Sequence, residues 1–116
     1  MHLLAERDVA LQVVVLVAEL EGRVVGYAYG GMEALDYMSL RGPAGALYDL
    51  VVEPSCRGRG IGGALLERMI AELAARGAPR VVLSTAEQNG AAQRLFARAG
   101  FRRTMIEMTR ELGGGS

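Results

Sequence analysis

Four glycines within residues 58–63 mark the point where the hydrophobic pattern of this chain changes from that of a strand to that of a helix. The preceding stretch, Ala46–Glu53, is rich in apolar residues, and it is followed by Pro54, which cannot donate to a strand ladder. From Ile61 onward, apolar residues recur every four positions, as they do on one face of a helix. The sequence therefore predicts a strand, a glycine-rich loop and a helix in direct succession.

The chain before this unit is predicted to form an antiparallel hairpin. Two runs rich in β-branched residues, Gln12–Leu20 and Arg23–Tyr29, flank Glu21-Gly22, a dipeptide suited to a two-residue turn. Gly30-Gly31 is expected to end the second strand, so that residues 31–45 form a loop.

The residues after the first helix predict a strand, a second helix and a last strand. Gly77 and Pro79 end the first helix in the usual order. Arg80–Thr85 has the pattern of a short buried strand, and Asn89 is placed to cap the second helix. Thr104–Leu112 alternates in polarity and is predicted to be a strand.

This order of elements predicts the fold class. A strand–helix–strand unit pairs its strands in parallel through a right-handed crossover, whereas the hairpin is antiparallel. We therefore predict an α/β (α+β) fold with a mixed, mostly antiparallel sheet and helices packed on it. Residues 1–112 are expected to form one domain, followed by a flexible Gly/Ser tail at residues 113–116.

Composition excludes several classes of function. The 13 basic residues balance 13 acidic ones, so no nucleic-acid partner is expected. Every basic residue is arginine, which rules out a Walker-type P-loop and Schiff-base lysine catalysis. With one cysteine and one histidine, we expect no metal site and a reducing, cytoplasmic location. The apolar run Val13–Ala18 is too short to span a membrane, and no membrane partner is expected.

The glycine-rich segment has three interpretations. The first is a plain flexible connector, but glycine is a costly residue with which to begin a helix. The second is a dinucleotide site: Gly58, Gly60 and Gly63 match G-x-G-x-x-G, yet that fold has several βα repeats after its motif. The third is a phosphate site, because the free N–H groups and dipole of a helix N-terminus attract anions, and Arg57 and Arg59 add charge.

Two segments resemble the motifs of a known enzyme family. Arg57-Gly58-Arg59-Gly60-Ile61-Gly62 resembles the R/Q-x-x-G-x-G/A motif of the Gcn5-related N-acetyltransferases. Asn89, followed by Ala92–Phe101, resembles the N-x-x-A-x-x-L-Y-x-x-x-G-F segment of the same family. Two motifs in the right order and spacing are more specific than either alone, and the resemblance spans residues 13–112.

The resemblance implies acetyl-CoA as co-substrate and no metal. In this family the glycine loop binds the pyrophosphate of acetyl-CoA, and the pantetheine arm pairs with the backbone of the preceding strand. The pyrophosphate-binding residues carried over to this chain are Arg57, Gly58, Arg59, Gly60, Ile61, Gly62 and Gly63. The other cofactor contacts carried over are the backbone of Leu50, Val51 and Val52 and the side chains of Asn89 and Phe96.

The implied function is that of an acetyl-CoA-dependent N-acetyltransferase, in which a primary amine of a small molecule or peptide attacks the thioester directly. Asp49, expected to be partly buried beside the thioester, is the candidate catalytic base; its alternative role is that of a structural carboxylate. A backbone N–H near Val51 or Val52 is expected to stabilise the oxyanion. Tyr29 and Glu33 are candidates for binding the acceptor, and an ordinary surface role is their alternative.

Two departures from the family pattern leave a second function open. The family commonly has a tyrosine that protonates the departing thiolate where this chain has Phe96; the candidate substitutes are Tyr27, Tyr29, Tyr37 and Tyr48. The chain is also expected to lack the usual N-terminal strand and helix, since residues 2–10 indicate only the end of a helix or an irregular lead-in. The alternative is a non-catalytic acyl-CoA-binding or dimerisation module, with an exposed edge or apolar patch favouring a homodimer.

Overall fold

The computed structural model describes residues 1–8, 13–36 and 41–113, and the side chains of residues 1–5 in the first of these ranges. The elements within them, in chain order, are β1 His2–Asp8, β2 Val13–Leu20, β3 Arg23–Glu33, β4 Ala44–Val52, a 3-10 turn Pro54–Cys56, α1 Ile61–Ala75, β5 Val81–Leu83 and α2 Gly90–Arg98. Across the described ranges, neither helix is long and apolar enough to cross a membrane.

The five strands form one open sheet in the order β1-β2-β3-β4-β5. β1 to β4 pair antiparallel, and β5 pairs parallel to β4. The predicted mixed, mostly antiparallel fold is therefore confirmed. The predicted hairpin is also confirmed: Glu21 and Gly22 have φ of 53° and 77°, and Leu20 pairs with Arg23 across the two-residue turn.

Helix α1 packs on one face of the sheet and shares the core with the strands. Its fully buried side chains are Leu65, Leu66, Met69 and Leu73, which join one cluster with Val14 and Leu16 of β2. The four-residue spacing from Ile61 produces this buried face, as predicted.

Glycines allow α1 to lie close to the sheet. A Cβ added to Gly30 would lie 2.8 Å from the sulfur of Met69, and one added to Gly45 would lie 2.9 Å from Cβ of Leu73. The prediction that Gly30-Gly31 ends the strand is wrong, because β3 continues to Glu33. The glycine at position 30 provides room for a helix side chain and does not break the strand.

A β-bulge in β4 opens the sheet at its far end. Tyr29 pairs with Asp49 but Gly30 pairs with Leu47, so Tyr48 is the extra residue. Tyr48 and Asp49 are consecutive exposed residues that follow four buried ones. Pairing of β4 with β5 is confined to residues 45–47 with 81–83. Beyond the bulge, β4 therefore separates from β5 and leaves a cleft.

The chain contains an N-terminal strand, which corrects the prediction for residues 2–10. β1 pairs with β2 over all seven residues from His2 to Asp8, and Leu3 and Ala5 pack against the core. The sequence of β1 has no β-branched residue, so its local pattern is weak. Pairing with the edge of β2 is what makes this segment a strand.

The predicted strand Thr104–Leu112 is not present. These residues are all exposed and have no assigned secondary structure. Its large apolar side chains project into solvent: Met105, Ile106, Met108 and Leu112 are 62%, 82%, 86% and 81% exposed. The alternating pattern is strand-like, but a strand needs a neighbouring strand for its backbone groups, and this segment pairs with none of the five strands described.

Candidate functional site

The cleft between the end of β4 and helix α2 is the candidate site. Its larger part, about 480 Å³, is lined by residues of β4, the glycine loop and α2, among them Leu50, Val51, Val52, Arg57, Gly58, Gly60, Ile61, Gly62, Gly63, Asn89, Phe96 and Arg98. An adjoining part of about 170 Å³ lies beside β5 and is lined by Leu47, Tyr48, Asp49, Leu83, Ser84 and Thr85, with Leu50, Asn89, Ala92 and Phe96 shared. Cavities of this size are typical of small-ligand sites.

The glycine loop presents backbone amides to this cleft. Gly58 and Gly60 have φ of 82° and 80°, a region that favours glycine, and no atom lies within 4 Å of a Cβ built on either. Gly60 is the N-cap of α1 and has no side chain to accept from the first turn, which also has no acidic residue. The N–H groups that begin α1 therefore remain available for an anion.

Arginines are distributed unevenly around the loop. Arg57 donates from Nε to the carbonyl oxygen of Val52 at 3.4 Å and lines the cleft. Arg98, on the last turn of α2, also lines it, whereas Arg59 is exposed and is not among the lining residues. Positive charge thus flanks the loop on two sides, one of them supplied by α2.

Some of the backbone groups of β4 beyond the bulge also face the cleft. The N–H of Glu53 donates to the carbonyl of Val25 at 2.8 Å, which fixes the alternation of the β3–β4 ladder. That alternation directs the N–H of Val51 toward β3 and the N–H groups of Leu50 and Val52 toward the cleft. Of the two residues predicted to supply the oxyanion donor, only Val52 therefore has an N–H aimed there.

Helix α2 contributes two of the predicted residues. The side chain of Asn89 accepts from the N–H of Ala92 at 3.1 Å, so it caps the helix, as predicted, and it also lines both parts of the cleft. Phe96 is 9% exposed, borders both parts, and packs edge-on against Phe101 with ring centroids 6.0 Å apart. Phe96 therefore lies where the two parts of the cleft adjoin.

Asp49 is exposed, which corrects the prediction that it would be partly buried. It follows the bulge residue Tyr48 and lines the smaller part of the cleft. The Tyr27 hydroxyl donates to Oδ2 of Asp49 at 2.7 Å. This hydrogen bond to a carboxylate is the main reason that the pKa of Tyr27 is raised above its usual 10.0.

Glu33 belongs to a neighbouring polar cluster. Its carboxylate accepts from the Tyr48 hydroxyl at 2.6 Å and from Arg41 at 2.8 Å. These two hydrogen bonds, that of Tyr48 first, lower the pKa of Glu33, while burial and the bond to Glu33 raise the pKa of Tyr48 to about 12. Tyr29 packs against Tyr48 with ring centroids 5.3 Å apart. Tyr48 therefore contacts both Tyr29 and Glu33, the two residues predicted to bind the acceptor substrate.

Some residues of the site were missing from the sequence prediction. Ser84 and Thr85 line the smaller part of the cleft because they follow β5 where it separates from β4. The sequence could have indicated them, because they lie at the carboxyl end of a strand predicted to pair in parallel. No sequence pattern pointed to Arg41. It contacts Glu33 because the bridge between Asp36 and Arg41 folds the chain back toward β3. Tyr37, a predicted substitute acid, lies outside the described residues.

Comparison with known proteins identifies the family. The chain matches the model of the acetyltransferase (GNAT) family over residues 3–101, which is most of its length. The chain belongs to this family. The glycine loop, β4 and α2, which form the cleft, all lie within the matched range.

Solved structures show the same fold. An aminoglycoside N-acetyltransferase in complex with CoA has a TM-score of 0.77 at 22% identity, over 86% of this chain and 75% of that one. Glucosamine-6-phosphate N-acetyltransferase from Arabidopsis thaliana has a TM-score of 0.69 at 22% identity, over 88% of this chain and 68% of that one. A Trypanosoma brucei acetyltransferase has a TM-score of 0.67 at 28% identity, over 89% of this chain and 71% of that one.

The first prediction concerns the polar cluster. Tyr48→Phe removes the hydroxyl that contributes most to the low pKa of Glu33, so that pKa should rise toward its ordinary 4.5, as measured by NMR titration of the carboxyl carbon. The depressed pKa stabilises the fold above pH 4.5, and this contribution disappears as pH falls through the folded-state value, so the variant should lose less stability on acidification. Tyr29→Phe, which leaves the Tyr48 hydroxyl in place, is the control; an unchanged Glu33 titration in Tyr48→Phe would contradict the assignment.

Proposed function

We propose that this chain transfers an acetyl group from acetyl-CoA to a primary amine by direct attack of the amine on the thioester. The observation that carries the proposal is the glycine loop, whose amides open on a cleft bordered by strand backbone that lacks a partner strand. Family membership supports acetyl transfer, and the fold is shared with an acetyltransferase in complex with CoA.

The residues of the cleft fit CoA. The open space at the Cβ positions of Gly58 and Gly60 accommodates a pyrophosphate close to the backbone, with Arg57 and Arg98 as flanking cations. Leu50 offers an N–H and a C=O group, and Val52 an N–H group, with which the amides of the pantetheine arm can pair. Acetyl-CoA supplies an activated thioester, which the N–H of Leu50 or Val52 is placed to polarise.

The second prediction tests the loop. Gly60→Val places a branched side chain where the pyrophosphate is proposed to bind, so CoA affinity measured by calorimetry should fall at least about 100-fold. The left-handed φ also strains the variant by about 1–2 kcal/mol. Gly22→Val is the matched control, because Gly22 has a φ of 77° and no neighbour within 4 Å but lies in the β2–β3 turn. It should lose similar stability and keep its affinity for CoA; equal affinity in the two variants would remove the loop from the site.

We assign Asp49 the role of general base for the acceptor amine. Asp49 lines the smaller part of the cleft, and its Oδ2 accepts a hydrogen bond from the Tyr27 hydroxyl at 2.7 Å. A primary amine is protonated at neutral pH, so a carboxylate there can bind the ammonium and take its proton as the nitrogen attacks. Tyr27 acts as a positioning residue in this arrangement, because it touches the carboxylate and not the reacting atoms.

The third prediction tests this assignment. Asp49→Asn keeps the hydrogen bond from Tyr27 but removes the basic oxygen, so kcat should fall about 10²-fold while CoA affinity is unchanged. Glu53→Gln is the matched control, since Glu53 pairs with Arg23 at 2.9 Å and is not among the residues that line the cleft. Thiol release with a panel of primary amines is the measurement, and a kcat in Asp49→Asn equal to that of the control would refute the base.

Phe96 affects the fate of the leaving thiolate. It borders both parts of the cleft and has no proton to give, so the thiolate leaves as such or takes a proton from water. A free thiol has a pKa of about 8.5, which makes its thiolate an acceptable leaving group without an acid. This chain is therefore proposed to be a slow acetyltransferase.

The fourth prediction follows from this position. Phe96→Tyr should raise kcat by up to about 10²-fold, the range expected for proton transfer from a placed group. Phe101→Tyr adds the same hydroxyl to the ring that packs on Phe96 and should leave kcat unchanged. A rate in Phe96→Tyr no higher than that of the native chain would show that thiolate protonation does not limit turnover.

The acceptor is proposed to be a small molecule or peptide that carries a primary amine and positive charge. Asp49 and Glu33 lie on the same exposed side of β3 and β4, with Tyr29 and Tyr48 between them. The neighbours in fold are named for aminoglycoside and glucosamine-6-phosphate acceptors. The runner-up function, an acyl-CoA-binding module without turnover, is favoured by Phe96, and CoA binding without thiol release across the amine panel would establish it.

A further inference from the structure

The face of the sheet opposite α1 carries exposed side chains of β3. A Cβ added to Gly26 or Gly30 would lie 3.3 Å or 2.8 Å from a side chain of α1, so these two glycines face that helix. Tyr27 and Tyr29 alternate with them along β3 and therefore point away from α1. Both tyrosines are exposed. We call the face on which they lie the outer face.

One row of side chains crosses the outer face from β1 to β4. Leu4 pairs with Val17, Val17 with Tyr27, and Tyr27 with Val51, and directly paired residues share a face of the sheet. Leu4, Tyr27 and Val51 are 41%, 37% and 39% exposed. Three strand spacings make the row roughly 14 Å long. We call these four residues the apolar row.

The apolar row leads to the proposed base. Asp49 pairs with Tyr29, which places it on the outer face, and the Tyr27 hydroxyl in the row donates to Asp49 at 2.7 Å. Tyr48 extends this surface, because its ring lies 5.3 Å from that of Tyr29. An acceptor whose amine reaches Asp49 from the outer face therefore has the apolar row beneath the rest of its structure.

We propose that the acceptor is a peptide that lies across the apolar row, with its primary amine at Asp49 and apolar side chains against Val51, Val17 and Leu4. This inference rests on the proposed function. An extended peptide advances about 3.4 Å per residue, so the row matches roughly four residues next to the amine. Because the peptide crosses the strands, side-chain burial and not strand pairing holds it.

The size and chemistry of the row favour a peptide over two other occupants. A polar amine of the size of one sugar ring can reach Asp49 without contact with Leu4, and it has no apolar group to bury there. A second copy of the chain needs more surface than the row offers. A standard interface buries about 800 Å² on each partner, whereas the row is only one side chain wide.

The fifth prediction concerns Leu4, which lies at the end of the row far from Asp49 and does not line the cleft. Two peptide amides, A-L-V-L-S-R and A-S-S-S-S-R, present the same amine with apolar or polar neighbours. In thiol-release assays, kcat/KM of the native chain should be at least about tenfold higher for the apolar peptide. Leu4→Asp should remove most of this preference, with kcat/KM for the serine peptide and CoA affinity unchanged.

Two further variants separate the contact from general effects. Ala71→Asp adds the same charge at an exposed position of α1, on the other side of the sheet, and should retain the full preference for the apolar peptide. Val51→Thr keeps the shape of a row residue and does not alter β1, and it should lower the preference about threefold. Thermal melting of each variant establishes that the chain is folded under assay conditions.

The outcomes distinguish this inference from the proposed function. Thiol release with equal kcat/KM for the two peptides, or an unchanged preference in both Leu4→Asp and Val51→Thr, would overturn the peptide surface and leave acetyl transfer standing. Anisotropy of the apolar peptide, labelled at its carboxyl end and mixed with the CoA-saturated chain, is independent of turnover; binding that Leu4→Asp weakens, without thiol release, would support the surface and contradict acetyl transfer. A dimer in sedimentation velocity that Leu4→Asp dissociates would assign the row to a second copy and overturn the proposal.

Discussion

The candidate site depends on the separation of β4 from β5 beyond their short paired region. A single extra residue, Tyr48, shifts the register between β3 and β4, and parallel pairing with β5 ends at Leu47. A strand that leaves its neighbour in this way has backbone N–H and C=O groups that need other partners. The bulge therefore creates both the space of the cleft and the unmet hydrogen-bonding capacity that a ligand with amide groups can satisfy.

The glycine loop and the region around the bulge have opposite electrostatic character. At the glycine loop, the beginning of α1 presents N–H groups beside Arg57 and Arg98, with no acidic residue in the first helical turn. At the bulge, carboxylates are held by phenol hydroxyls, Asp49 by Tyr27 and Glu33 by Tyr48. The electrostatics of the first region favour an anionic ligand and those of the second favour a cationic one.

The parts of the fold that the sequence predicted are those with strong local signals. Glu21-Gly22 between two β-branched runs specified the hairpin, and the four-residue spacing from Ile61 specified the buried face of α1. The errors are at segments whose conformation depends on a neighbour. β1 is a strand because β2 offers an edge to it, and Thr104–Leu112 is not one because no edge meets it, although the second has the clearer alternation. The Gly30-Gly31 pair has the pattern of a strand end, but Gly30 lies within β3 and provides space for the side chain of Met69.

The sequence alone determined the glycine loop and the family, because the glycines and arginines of the motif are contiguous. Only the tertiary structure decided the environment of Asp49, which of the amides of Leu50, Val51 and Val52 face the cleft, and the meeting of Glu33 with Arg41 and Tyr48. These depend on strand register and on a one-residue bulge. A shift of one residue reverses the face on which every following side chain lies, and no local pattern records it.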